Sequence, residues 1–175
     1  MRLNVPIRLR WSDLDAYGHV NNVEMLRLLE EARIIALWSS DEPTDGPADG
    51  LSNQPTGDVD SGEAISGSTA VLDGRPGADT LSLIARQEIE YLTPIPYTRQ
   101  PLDVQLWVGR IGGASLELCY EVWSPAGAEP ATLYARAATT LVLADAETGR
   151  PRRINERERA AWSPYTEPAI QFHRR

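Results

Sequence analysis

Along residues 3–11 apolar and polar side chains alternate, with Val5, Ile7, Leu9 and Trp11 on one side and Arg8 and Arg10 on the other, the period of a half-buried strand. A loop rich in Asp and Gly follows. From Val23 to Trp38 the chain then runs without Gly or Pro, and Asn21-Asn22 stands before it as a helix cap. Met25, Leu28, Leu29, Ala32, Ile35 and Ala36 recur at helical spacing, while Leu26, Ile34 and Leu37 widen the apolar surface beyond one stripe, so this helix expects cover on several sides. After residue 80 the period returns to two. Residues 81–92 predict a strand with Leu83, Ala85, Gln87, Ile89 and Tyr91 on one face, followed by strands through Leu102–Val108, Leu116–Val122 and 132–144. Gly112-Gly113 and the Ser124-to-Gly127 segment supply turns, and Asn155 caps a short helix through Trp162.

One strand, one long apolar helix and four successive strands joined by short connections predict an α+β arrangement, an antiparallel sheet packed on that helix. The length of 175 residues suits a single domain, expected over 1–165 with an irregular tail at 166–175. Residues 41–80 differ in kind. They hold nine acids against one base, Arg75, together with seven of the 13 glycines, so the whole formal charge of −8 resides there and the rest of the chain is balanced. This segment reads as a long, mobile acidic insertion.

Several functions are disfavoured by composition. A net charge of −8 argues against nonspecific binding to nucleic acid or to an anionic membrane. No apolar run reaches the roughly 18 residues needed to cross a bilayer, and residues 1–11 lack the apolar centre of a signal peptide, so a soluble, cytoplasmic protein is expected. Cys119, the only cysteine, lies in an alternating run and reads as a buried strand thiol, and the two histidines, His19 and His173, lie at opposite ends of the chain, so no metal site is expected. P-loop, GxGxxG and GxSxG patterns are absent, and no cofactor is called for. All 17 bases are arginine, a residue that binds phosphate in bidentate fashion.

The segment Trp11-Ser-Asp13-Leu-Asp15-Ala-Tyr17-Gly18-His19-Val20-Asn21-Asn22, continued by Glu30-Glu31-Ala32-Arg33 on the helix, resembles the 4-hydroxybenzoyl-CoA thioesterase-like branch of the hotdog-fold superfamily. Glu88 to Ile95 is similar to that family's second strand, and Gly109 to Ser115 to its turn beside the CoA arm. The resemblance implies a hotdog fold, a curved antiparallel sheet wrapped around the helix, assembled as a homodimer or homotetramer with active sites at the subunit interface. It also implies hydrolysis of an acyl-CoA thioester, with Asp15 as general base or nucleophile and the Asn22 amide as oxyanion donor. His19 is then expected to brace the site or exchange a proton, and Glu30 to orient the loop. Tyr17, Gly18, Asn21, Arg110 and Ser115 become substrate-side candidates. Such roles make chemical sense, since a helix N-terminus offers unpaired amides and partial positive charge to an oxyanion while a carboxylate just upstream can hold the attacking water.

The residues leave alternatives open. Asp13 is as acidic as Asp15 and reads as a turn or salt-bridge residue, while Asn21 and Asn22 can serve as caps alone. A hotdog enoyl-CoA hydratase would carry Asp-x-Asn-x-x-His, which fails here at Tyr17 and His19. A noncatalytic acyl-CoA-binding module and an acyl-carrier-protein thioesterase also fit the fold, although an acidic carrier meets repulsion from a chain of charge −8.

Overall fold

The computed structural model describes residues 1–39 and 69–173. Its elements are β1 (Leu3–Ile7), a 3-10 turn at Trp11–Asp13, α1 (Asn22–Leu37), β2 (Thr80–Tyr91), β3 (Leu102–Ile111), β4 (Ser115–Trp123), β5 (Leu133–Asp145), α2 (Glu156–Trp162) and a 3-10 turn at Ser163–Tyr165. The strands form one sheet in the order β1-β3-β4-β5-β2, antiparallel at every joint. β1 and β2 are therefore its edges. No helix among the described residues is long and apolar enough to cross a membrane.

α1 seats on β1 and β3. It buries Met25, Leu28, Leu29, Ala32 and Ala36 in one cluster with Val104, Leu106, Leu118, Tyr120 and Leu141 of the sheet. Burying an aliphatic side chain of this size contributes about 1.5–3 kcal/mol, so this face holds the helix. The rest of α1 is unusually apolar for a surface: Val23, Leu26, Ile34 and Ile35 are exposed, as are Leu81, Leu83, Ile84 and Tyr91 on the β2 edge.

Two details depart from the sequence pattern. β1 stops at Ile7, because the Asp13 carboxylate accepts the Arg10 amide at 2.7 Å and turns the chain at Trp11–Asp13. In β2 the register slips between Ile84 and Arg86. Directly paired residues share a face. Ile84 lies opposite Leu141, while Gln87, Ile89 and Tyr91 lie opposite Thr139, Ala137 and Ala135. The slip thus puts Ile84 on the helix side with Gln87, Ile89 and Tyr91, and turns Leu83 to the other face, correcting the single expected row of Leu83, Ala85, Gln87, Ile89 and Tyr91.

Most of the acidic segment expected as an insertion lies outside the described residues. Its last dozen residues are held in place: the Thr69 hydroxyl donates to Ala36 O at 2.7 Å, Trp162 Nε1 donates to Thr69 O at 3.1 Å, and Leu72 N donates to Leu37 O at 3.0 Å.

The tail after Thr166 has no regular structure, yet it forms a strap over the outer face of the sheet. Glu167 N donates to Val108 O, Trp107 Nε1 donates to Pro168 O at 3.1 Å, and His173 Nδ1 meets Glu90 Oε1 at 2.7 Å. Cys119 is fully buried beneath it, as a strand thiol, and burial pushes its thiol up from the ordinary range. The β3 bulge falls at Gly109, where an added Cβ would stand 2.8 Å from Cys119 Sγ and 3.1 Å from Ala169 Cβ. Gly109→Ala is expected to cost about 1–3 kcal/mol, read as a lower melting temperature, because strand and strap cannot both keep their places.

Candidate active site

The loop between β1 and α1 is shaped by short-range hydrogen bonds. Asp15 N donates to His19 O at 2.8 Å and Gly18 N to Asp15 O at 3.1 Å. Asp15 Oδ1 accepts the amides of Tyr17 at 2.8 Å and His19 at 3.1 Å. Gly18 closes this turn at φ +78°, a left-handed conformation that favours glycine. Two longer-range bonds then place the loop: Val20 N donates to Ile95 O and Asn21 N to Asp13 O, both at 2.9 Å.

Those bonds bring the loop and the first turn of α1 against the chain that leaves β2. Between them lies a cleft of about 330 Å³, lined by Asp15, His19, Val20, Asn22 and Met25 on one side and by Tyr91 to Ile95 on the other. Asn21 Oδ1 caps the helix by accepting the Val23 amide at 2.9 Å. The Asn22 amide donates to no acceptor among the described residues, and Oδ2 of Asp15 likewise accepts no bond there. One cleft is therefore lined by Asp15 and Asn22, whose Oδ2 and amide are both unbonded among the described residues.

Asp13 has a different environment. It is fully buried, lies outside the cleft lining, and receives Arg10 Nε and Nη2 at 3.0 Å and Arg27 Nη2 at 2.8 Å. Burial alone would raise its pKa, but the Arg10 amide and guanidinium together with the Arg27 charge outweigh it and hold the carboxyl below the usual range. A depressed folded pKa gives stability that is full above the unfolded value near pH ~4 and lost as pH falls through the folded value. Asp13→Asn is thus expected to lower the melting temperature at neutral pH and to flatten its decline below pH ~4.

Of the residues singled out from sequence, Asp15, His19 and Asn22 meet in the cleft, and Gly18 and Asn21 shape the loop and the cap. Tyr17 is exposed and points its backbone, through its amide, at Asp15. Glu30 lies about 12 Å along α1 from Asn22, at 1.5 Å per residue, and pairs with Arg33 at 2.9 Å instead of reaching the loop. Ser115 lies at the other end of the sheet, and Arg110, in register through Glu117 and Thr140 with Arg86, lies five positions from Tyr91, roughly 17 Å along the strand. Ser115 pairs with Val142, which pairs with Leu83, and Leu83 is eight positions from Tyr91, roughly 25 Å at about 3.3 Å per step. Within one chain that turn does not approach the cleft. Sequence reading assigned no site role to Met25 or to Tyr91–Ile95, although the proline-rich exit from the β2 strand marked that wall. Among the described residues no group of acids, His and Cys has the arrangement of a metal site.

An antiparallel five-stranded sheet around one long helix, with a cleft at the helix N-terminus, is the hotdog fold. Residues 9–162 match the model of the thioesterase-like superfamily, and the chain belongs to that family. No curated protein sequence matches it. Among solved structures it is similar to a predicted thioesterase from Bacillus stearothermophilus, at 20% identity and TM-score 0.65 over 97% of this chain and all of that one. A Thermus thermophilus thioesterase, solved with coenzyme A and zinc, aligns at 23% identity and TM-score 0.56, covering 90% and 94% of the two chains. The dynemicin thioesterase, studied with a bound polyene, aligns at 14% identity and TM-score 0.66, covering 97% and 100%.

Proposed function

We propose that this chain hydrolyses an acyl-CoA thioester to free acid and CoA, with Asp15 activating water or attacking the carbonyl and the Asn22 amide stabilising the oxyanion. The observation that carries this reading is the presence of both groups, each with an unused hydrogen-bonding position, in one cleft. A tetrahedral intermediate between them would have its oxyanion met by an amide at the positive end of α1, the arrangement that lowers the barrier for acyl transfer. His19 lines the same cleft and is fixed through its backbone, so it braces the carboxylate turn and stands within the site's reach. CoA as the carrier is supported by the chain's acidic charge, which opposes docking of an acidic carrier protein, and by the coenzyme A bound to the Thermus relative.

The working unit in this reading is a dimer. β2 presents twelve residues of open edge beside the exposed apolar side chains of α1. Two copies joined antiparallel along β2 would set the Leu83 end of one strand beside the Tyr91 end of the other. That operation carries the partner's Arg110–Ser115 turn toward the cleft, where an arginine can meet CoA phosphates.

The test is thiol release from one acyl group offered on CoA, on pantetheine and on acyl carrier protein. The reading expects kcat/KM highest for CoA. Preference for the carrier protein would contradict the choice of donor, and absence of turnover on all three would contradict hydrolysis itself.

A further inference from the structure

A polar rung crosses the interior from α1 to β2. Glu30 binds Arg33 Nη2 at 2.9 Å, the Tyr120 hydroxyl lies between Arg33 and Thr139, and Gln87 Nε2 reaches the Thr139 hydroxyl at 3.4 Å. Its centre is buried, its two ends are exposed, and Arg33 Nε, Arg33 Nη1 and the Tyr120 hydroxyl form no regular hydrogen bond. Buried polar atoms left in this state are uncommon and need a reason. The surroundings are apolar on both sides: Met25, Ile89 and Tyr91 toward the cleft, Leu37, Ile84 and Leu141 away from it.

The rung stands further along α1 and β2, the two elements that line the cleft at Met25 and Tyr91. Arg27 reaches Asp13 just after β1, so its side of α1 faces the β1 edge, and Glu30, Leu26 and Arg33 lie about 60–120° round the helix from it, on the side that Arg33 turns toward Tyr120 and β2. α1 seats on β1 and β3, which leaves the helix side of β2 uncovered: Ile84 is 41% exposed and Tyr91 47%. Measured along α1, Glu30 stands about 12 Å beyond Asn22. Measured along β2, Gln87 stands about 13 Å before Tyr91. Both walls thus meet the polar rung at the same depth.

We propose that this rung is the far wall of the acyl site, so that the acyl chain runs from the cleft between α1 and β2 and ends at Glu30, Arg33 and Gln87. This assignment rests on the thioesterase reading above and adds its substrate class, acyl groups up to medium length. A methylene chain pushed further must strip water from Glu30 and Gln87 without replacing their hydrogen bonds, whereas a shorter one meets only apolar walls. Gln87 is the specificity-determining residue best suited to test, since it is exposed and its side chain bonds only Thr139 among the described residues.

The experiment is a series of saturated acyl-CoAs from short to long, hydrolysed by the full chain, by Gln87→Leu and by Gln87→Asn, with melting curves for all three. The native chain should lose roughly tenfold or more in kcat/KM between its medium-chain optimum and the longest acyl group. Gln87→Leu should raise the ratio of long-chain to medium-chain kcat/KM roughly tenfold, mainly through KM, while Gln87→Asn keeps the native ratio. A folded Gln87→Leu with the native chain-length profile, or a native rate that climbs to the longest acyl group, would overturn the assignment and leave thioester hydrolysis standing. Absence of hydrolysis across the series would overturn both.

Discussion

Asp15→Asn is expected to fold normally and to lose turnover, with kcat falling on the order of 10²–10⁴. The amide oxygen of asparagine can accept the Tyr17 and His19 amides as Oδ1 does now, so the loop keeps its shape. What disappears is the carboxylate oxygen that accepts no bond from the described residues. In the proposed mechanism that oxygen acts in the transition state, so kcat and kcat/KM should fall together while KM stays similar. Asp13→Asn should behave in the opposite way. It weakens a buried site shared by Arg10 and Arg27, so its effect should appear in the melting temperature, with turnover within about tenfold of the native chain. A silent Asp15→Asn beside a dead but stable Asp13→Asn would show that the other carboxylate does the chemistry.

Ile84→Arg is expected to yield a monomer of 19.3 kDa whose kcat/KM on acyl-CoA is lower on the order of 10². Ile84 is exposed near the middle of the open β2 edge, where a two-fold axis would pass, and a guanidinium from each copy would meet there as like charges. The loss in activity follows from distance. With Ser115 roughly 25 Å and Arg110 roughly 17 Å along the strands from the Tyr91 end of the cleft, the account has a lone chain use them only through a partner. Light scattering together with the hydrolysis rate decides it: a fully active monomer would show that each cleft is complete by itself.

The geometry of the proposed site residues was legible because their contacts are local. Asp15 binds amides two and four residues ahead, Gly18 closes that turn, and Asn21 caps the helix two residues on, so spacing along the chain fixes the geometry. The helix and all the strands followed from periodicity for the same reason. What escaped depends on partners far apart in sequence. Tyr91–Ile95 form the second wall of the cleft only because Val20 bonds to Ile95, and a one-residue slip in β2, invisible in an alternating pattern, decides that Ile84 and not Leu83 faces the helix. The tail offered no periodicity at all, since its packing runs across strands and not along them. For Glu30 the sequence left two readings open, orienting the loop or pairing with Arg33 at i,i+3, and its hydrogen bond is to Arg33.

Thiol release measured side by side for the native chain and Asp15→Asn, on the best substrate of an acyl-CoA panel and at matched folded fractions, tests the central claim most directly. The account predicts saturable turnover by the native chain and a loss of at least 10² in the variant with acyl-CoA still bound. Equal rates in the two proteins, or acyl-CoA bound by the native chain without release of thiol, would contradict it.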